Sequence, residues 1–254
     1  MSQQRTILIT GAAKGIGRAV AQSFAGDPGN RLVLLDLDLV ELQAWVADHQ
    51  AKASIETHGA DISDLAGLRS LFGELAKQLG YIDVLVNSAG ICNENEPEDL
   101  DNWHKVIGVN LHGTFYVTSL CIPLLSKQGR IINIASILGR AGKVRNTAYC
   151  ASKHAIVGMT KALALDLAPR QITVNAILPA WVDTPMLQHE LAVQAGIAGL
   201  SQEQIVRSAK RKLPLRRFIE SEEVAALVRY LASPEAGAIT AQSLVVDGGV
   251  GLGM

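Results

Sequence analysis

Thr6-Ile-Leu-Ile-Thr10 runs directly into Gly11-Ala-Ala-Lys14-Gly15-Ile16-Gly17 and then Arg18-Ala-Val20. An apolar, β-branched run followed by glycines and a helical pattern predicts a strand, a tight turn and a helix. Glycines in such a turn let the backbone approach a pyrophosphate, whose charge meets the free amides at the helix N-terminus. The spacing here is G-x-x-x-G-x-G rather than G-x-G-x-x-G, and a tight turn packed on a sheet has the same composition, so the glycines alone decide nothing. Asp36 adds to them: it ends the next apolar run 19 residues after Gly17, near the offset of about 20 at which an acid meets dinucleotide ribose hydroxyls. Its other reading is a helix N-cap before Leu39, and both roles are compatible. A carboxylate there repels the 2′-phosphate of NADP, so NAD is the expected cofactor. Lys14, a cation inside the turn, argues for NADP with less weight.

Outward from this unit, apolar runs at residues 31–36, 54–57, 82–87, 130–136, 172–178 and 243–246 add six further strands to the one at 6–10. Helical stretches at 15–25, 65–79, 98–125 and 147–167 lie between them. Strands alternating with helices favour right-handed βαβ crossovers and a mostly parallel sheet. The runs LVLL, VLV and IINI are nearly continuous in apolar residues, as in strands covered on both faces. Ser63 or Asp64 suits the cap before Leu65, Pro97 with Glu98 and Asp99 suits a first helical turn, and Ser221 suits the cap before Glu222 and Glu223. The predicted fold class is α/β: a single doubly wound Rossmann-type domain over residues 1–254, of about seven mostly parallel strands with helices on both faces.

Composition narrows the function classes. The 254 residues are 48% hydrophobic and 19% charged, with 23 basic against 24 acidic side chains, which disfavours a nucleic-acid partner. Cys92, Cys121 and Cys150 lack metal-ligand spacing, so no metal is expected and a reducing, cytoplasmic compartment is. The first residues show no secretory pattern. Residues 106–126 carry no charged side chain, but Asn110, His112 and Pro123 within them fit a helix buried in protein better than a membrane span.

Ser136 ends the fifth predicted strand, and Tyr149 and Lys153 follow on the next helix, four residues apart and so on one face. Strand C-termini border the ligand crevice of an open α/β sheet, so a hydroxyl, a phenol and an ammonium converge beside the nucleotide. An adjacent cation favours phenolate, which would make Tyr149 a proton donor or acceptor nearer neutrality.

With these residues in view the chain resembles the short-chain dehydrogenase/reductase family, in its classical branch, over nearly its whole length. Residues 10–17, TGAAKGIG, resemble the family's cofactor motif, Asn87-Ser88-Ala89-Gly90 its N-N-A-G, and Ser136, Tyr149 and Lys153 its catalytic Ser and Y-x-x-x-K. Asn110 matches its fourth catalytic position, Asp61-Ile62 its adenine-binding pair, and residues 179–184 its P-G-x-x-x-T stretch. The resemblance implies that Tyr149 is the general acid/base, Ser136 bonds the substrate oxygen, Lys153 lowers the Tyr149 pKa and holds the nicotinamide ribose, and Asn110 binds a water relaying protons to solvent. It implies cofactor contacts at Gly11, Lys14, Gly15, Ile16 and Gly17, at Asp36 and Leu37, at Asp61 and Ile62, and at Asn87, Ala89 and Gly90. Tyr149, Lys153, Pro179, Val182 and Thr184 complete that set. Ser88 in place of Asn and Ala180 in place of Gly depart from the pattern. A homotetramer, a dimer of dimers, is also implied, with the helices at 98–125 and 147–167 pairing across one interface.

Residues 184–214 are long for a connection and are expected to form a helical substrate lid, with Ser201-x-x-Gln204 as a capping box. Arg207, Lys210, Arg211, Lys212, Arg216 and Arg217 fall within eleven residues without an acid, leaving 17 basic against 24 acidic elsewhere. Arg140, Lys143 and Arg145 form a second cluster between Ser136 and Tyr149. Substrate contacts are therefore expected at Ser136, Tyr149, Lys143, Arg145, Arg207, Lys210 and Arg211, with an anionic tail on the substrate. A solvated lid face or inter-subunit salt bridges would give the same pattern. His112, His154, His189 and Cys150 read as structural.

The expected activity is interconversion of a secondary alcohol and a ketone with NAD. The alternatives are an NADP-dependent 3-oxoacyl thioester reductase, a sugar or polyol dehydrogenase and, outside catalysis, a nucleotide-sensing scaffold, which would have no need of Tyr149 and Lys153.

Overall fold

A computed structural model describes residues 4–94 and 96–253. Seven strands form one sheet: β1 (Arg5–Thr10), β2 (Asn30–Asp36), β3 (Ser54–Gly59), β4 (Ile82–Asn87), β5 (Leu125–Ile134), β6 (Thr173–Pro179) and β7 (Ser243–Val246). Their order is β3-β2-β1-β4-β5-β6-β7 and every pairing is parallel. The helices are α1 (Gly15–Ala25), α2 (Leu39–Asp48), α3 (Leu65–Gln78), α4 (Leu100–Ile107), α5 (Thr114–Cys121), α6 (Thr147–Leu167), α7 (Pro185–Ala198), α8 (Gln202–Lys212) and α9 (Ser221–Ala232).

Alternation along the strands divides the core between two faces. Ile7, Ile9, Leu32 and Leu34 pack toward α1 and α9, meeting Val20, Phe24, Val224 and Val228. Leu8, Val33, Leu35 and Leu85 pack on the other face with Phe72 of α3, Val117 of α5 and Leu167 of α6. Each such side chain contributes about 2 kcal/mol on burial. β1 has β2 on one side and β4 on the other, so the chain reverses its direction of winding there and opens a crevice at the strand C-termini.

Several local boundaries differ from expectation, while others match. β5 stops at Ile134, because the Ser136 hydroxyl caps the short helical turn Ile137–Gly139 by accepting from Leu138 N at 3.1 Å. The helix predicted over 98–125 starts at Leu100 behind the cap Asp99, with Pro97 outside it, and is broken by a π-helical turn, Gly108–Gly113. Its last residue, Leu125, instead opens β5. Before Leu65, Asp64 is the cap, whereas at α9 Ser221 is the first helical residue and Glu223 reaches back to accept from Glu220 N at 2.8 Å.

The run Leu100–Leu124 is long and apolar enough to cross a membrane by composition, and 39% of its most apolar window is buried. Here α4 packs on α6, and α5 packs on α3 and β4. The opposite side stays open, with Leu100 and Phe115 exposed, so the run is covered on one face rather than buried outright.

Candidate functional site

A cleft of about 1180 Å³ follows the C-terminal ends of the strands across the β1/β4 junction. Its floor is the turn after β1. Gly11 has φ +69°, and a Cβ there would lie 2.7 Å from Ala89 Cα, so the turns after β1 and β4 touch backbone to backbone. A Cβ on Gly17 would lie 2.0 Å from the Gly11 carbonyl oxygen, which excludes any side chain at the start of α1. Gly15, at φ +54°, sits under the Thr184 methyl. Lys14, Ile16, Ala89 and Gly90 complete this end. Three missing Cβ atoms at a helix N-terminus form the cradle that a dinucleotide's pyrophosphate requires.

Asp36 is not the cap of α2; Asp38 is, accepting from Glu41 N at 3.1 Å. Asp36 instead accepts from Ala13 N at 2.8 Å and Asp38 N at 2.9 Å. Two backbone amides therefore fix its carboxylate on the cleft wall beside Leu37. Lys14 turns to Asp38, 3.0 Å away, which raises the lysine's pKa and lowers that of Asp38, chiefly through their hydrogen bond. Asp61, Ile62, Pro179, Val182 and Thr184 also line the cleft.

Two expected cofactor or catalytic positions lie behind the wall. Asn87 is buried and donates to Thr118 Oγ1 at 2.9 Å and Asn133 Oδ1 at 2.8 Å, tying β4 to β5 and α5. Asn110, in the π-helical turn, accepts from Ile91 N at 2.8 Å and donates to Ile91 O at 2.9 Å and Ser152 Oγ at 3.2 Å. It thus clamps the segment after β4 against α6. A Cβ on Gly90 would lie 3.2 Å from Asn110 Oδ1 and 3.7 Å from Lys153 Nζ, so Asn110, Gly90 and Lys153 are in close succession.

Ser136, Tyr149 and Lys153 meet at the cleft. Ser136 stands close enough to the Tyr149 hydroxyl to act on its ionisation. Lys153 Nζ donates to Ile134 O at 2.9 Å and lies 5.6 Å from the centroid of the Tyr149 ring. Burial pushes the Tyr149 phenol well above its ordinary pKa, and Cys92 and Glu190 push it further, while Ser136 pulls it down. Burial likewise brings Lys153 down to about 8. At both groups loss of hydration is the largest influence.

The two departures from the glycine and asparagine motifs are accommodated. Thr10 Oγ1 accepts from Ser88 N at 3.1 Å and Ala89 N at 3.2 Å, so the turn is held by backbone amides. The left-handed residue after β6 is Trp181, at φ +49°, rather than Ala180. Trp181 stacks on Phe218 with ring centroids 6.2 Å apart, and the neighbouring bridge between Val182 and Ile219 holds that conformation.

Residues 184–214 do form two helices, α7 and α8, with the capping box at Ser201 and Gln204 present. The basic clusters lie elsewhere than expected. Arg207, Lys210 and Arg211 share one face of α8 and line a groove separate from the cleft, because Ala209 and Leu213 turn inward to Leu187, Leu191 and Phe218. Arg207 pairs with Glu203 at 2.8 Å, and Arg145 lies 3.1 Å from Glu96 and 3.6 Å from Glu94, off the cleft wall. Lys143 does line the cleft but is paired with Glu190. Glu190 has no local signal in the sequence, since its partner is 47 residues away. Among the described residues no group of three or more His, Cys, Asp or Glu is placed to hold a metal.

A family model described as Enoyl-(Acyl carrier protein) reductase matches residues 11–251. The chain is 36% identical to a D-beta-hydroxybutyrate dehydrogenase of Rhizobium meliloti, over 96% of this chain and 98% of that one. It is 35% identical to a 3-oxoacyl-(acyl-carrier-protein) reductase of Thermotoga maritima, over 97% of each. Among solved structures it resembles a single-substitution variant of the actinorhodin polyketide ketoreductase with NADPH, at 35% identity and a TM-score of 0.88, covering 98% of this chain and 97% of that one. With the glycine cradle and the Ser136, Tyr149 and Lys153 constellation joined in one cleft, the chain belongs to the short-chain dehydrogenase/reductase family, as an NAD(P)-dependent oxidoreductase of alcohols and ketones.

Proposed function

We propose that the chain interconverts a secondary alcohol and a ketone with a preference for NAD, and that Tyr149 is its general acid/base. The observation that carries this reading is the convergence of Tyr149, Ser136 and buried Lys153 in the same cleft as the glycine turn. Gly11, Gly15, Gly17 and Asp36 would hold the dinucleotide, which when bound supplies or accepts the hydride. Ser136 orients the substrate oxygen. In reduction Tyr149 gives that oxygen a proton, and in oxidation it takes the proton of the hydroxyl. Burial keeps the phenol protonated at neutral pH, so the free protein is poised as the acid that ketone reduction needs. Asn110, through Ile91 and Ser152, holds the segment after β4 against the helix that carries Tyr149 and Lys153.

Asp36 supports NAD. Its carboxylate is fixed by two amides and cannot swing away from a 2′-phosphate, while Lys14 is engaged by Asp38. NADP-dependent reduction of a 3-oxoacyl thioester is the second reading, favoured by the reductase and ketoreductase names among the relatives. Exposed Leu100, Phe115 and Leu165 on α4, α5 and α6, and Val245 on the edge strand β7, support a homotetramer built as a dimer of dimers. Three free cysteines support a reducing, cytoplasmic setting.

Tyr149→Phe is expected to lower kcat for ketone reduction by about a thousandfold or more with cofactor affinity unchanged, read by nicotinamide absorbance and by cofactor titration; retained kcat overturns the assignment. Asp36→Ala is expected to raise the NADP-to-NAD ratio of kcat/KM by about tenfold or more, and an unchanged ratio removes Asp36 from the ribose site. Because kcat/KM reports ionisations of the free enzyme, its profile for ketone reduction should fall as pH rises through about 8, where Lys153 loses its charge. A flat profile across that range contradicts that role. Light scattering should give four times the 27.0 kDa chain mass, and a monomer would leave the apolar helix faces without their proposed partner.

A further inference from the structure

A charge pair in the cleft lining joins two segments that are distant in sequence. Lys143 lies in the segment between Ser136 and α6, and Glu190 lies on the lid helix α7. Lys143 Nζ donates to Glu190 Oε1, and Gln194 Nε2 donates to the same oxygen at 3.0 Å from one turn further along α7. The two side chains are only 31% and 22% exposed, and both line the cleft. Cys92, which feels both charges, and Leu138, Trp181 and Leu187 belong to the same lining.

Glu190 stands close enough to the reacting end for its charge to be felt there. It raises the proton affinity of Cys92, second only to burial, and Lys143 opposes it at that thiol. It also raises that of Tyr149, where burial and Cys92 weigh more. The pair therefore belongs to the part of the cleft beyond the Tyr149 and Ser136 hydroxyls rather than to the dinucleotide end, where Lys14 and Asp38 are paired.

An unpaired lysine on this wall would attract a carboxylate or phosphate on the substrate. With Glu190 in contact the local charge is zero, and an anion approaching Lys143 must either displace Glu190 or lie beside it. Displacement leaves a half-buried carboxylate among apolar side chains, which is costly, and lying beside it incurs like-charge repulsion. We propose that Glu190, by neutralising Lys143 in the cleft lining, is a specificity-determining residue that makes this enzyme select uncharged ketones and alcohols over anionic ones. This rests on the alcohol and ketone reading above and deepens it to a substrate class.

The experiment compares kcat/KM for a matched pair, 3-oxobutanoate and its ethyl ester, in the wild type and in three variants. The wild type should favour the ester by about tenfold or more, equivalent to about 1.4 kcal/mol. Glu190→Gln frees Lys143 and should move the ratio toward the acid by about tenfold, the same free-energy difference. Lys143→Gln with Glu190→Gln removes both charges and should return the ratio most of the way to the wild-type value. The swap of Lys143→Glu with Glu190→Lys keeps a neutral pair, guards against loss of the lid's packing, and should also retain ester preference. A wild type that favours the acid, or a Glu190→Gln enzyme that turns over the ester with an unmoved ratio, overturns the proposal while leaving the ketone reductase reading intact. A folded wild type that reduces neither these nor other ketones with NADH or NADPH overturns that reading, and this inference with it.

Discussion

The contact between Gly17 and the Gly11 carbonyl is the constraint on which the rest of the site depends. A Cβ at position 17 would stand 2.0 Å from that oxygen, a distance no rearrangement of a side chain can relieve, because the obstacle is backbone. The contact seats the first turn of α1 directly on the end of β1. Gly11 in turn presses against Ala89, so the turns after β1 and β4 close on each other where the sheet changes its direction of winding. From that junction the positions of the other elements follow. β2 delivers Asp36 to one side, the segment after β4 delivers Gly90 and Ile91 to the other, and Asn110 fastens Ile91 to α6, which carries Tyr149 and Lys153.

Much of this is legible from spacing alone, for reasons visible in particular residues. The helix Thr147–Leu167 is readable because no proline interrupts it and Ala148, Ser152, Ile156, Thr160 and Ala164 recur at helical spacing on its buried side, and the Tyr149 and Lys153 pair inherits its common face from that spacing. Strands buried on both faces, such as β2 and β4, show up as continuous apolar runs, whereas the edge strands β3 and β7 are only partly buried. The π-helical turn at 108–113 is not legible, and neither is the close approach at its end, where a Cβ on Gly113 would be 2.7 Å from the Ile62 side chain. The cation cluster on α8 misleads. Six basic residues in eleven announce a charged surface, but which way that surface faces depends on where Ala209 and Leu213 find a core. Glu190 leaves no trace in the sequence pattern at all, as its partner comes from a segment distant in sequence.

The electrostatics of the cleft show a division of labour between the fold and its ligands. At the dinucleotide end Lys14 is paired with Asp38, and at the far end Lys143 is paired with Glu190, so each pair contributes little net field. Between them Lys153 bonds a backbone carbonyl and no carboxylate. Desolvation without a counter-charge is what brings its pKa to about 8, and the same desolvation raises the phenol beside it. A carboxylate on Lys153 would restore its charge but cancel its effect on Tyr149. Lys153 is thus left without a counter-charge beside a phenol that stays neutral. Burial thus biases both groups toward their neutral forms, and any occupant of the cleft that changes their solvation shifts both.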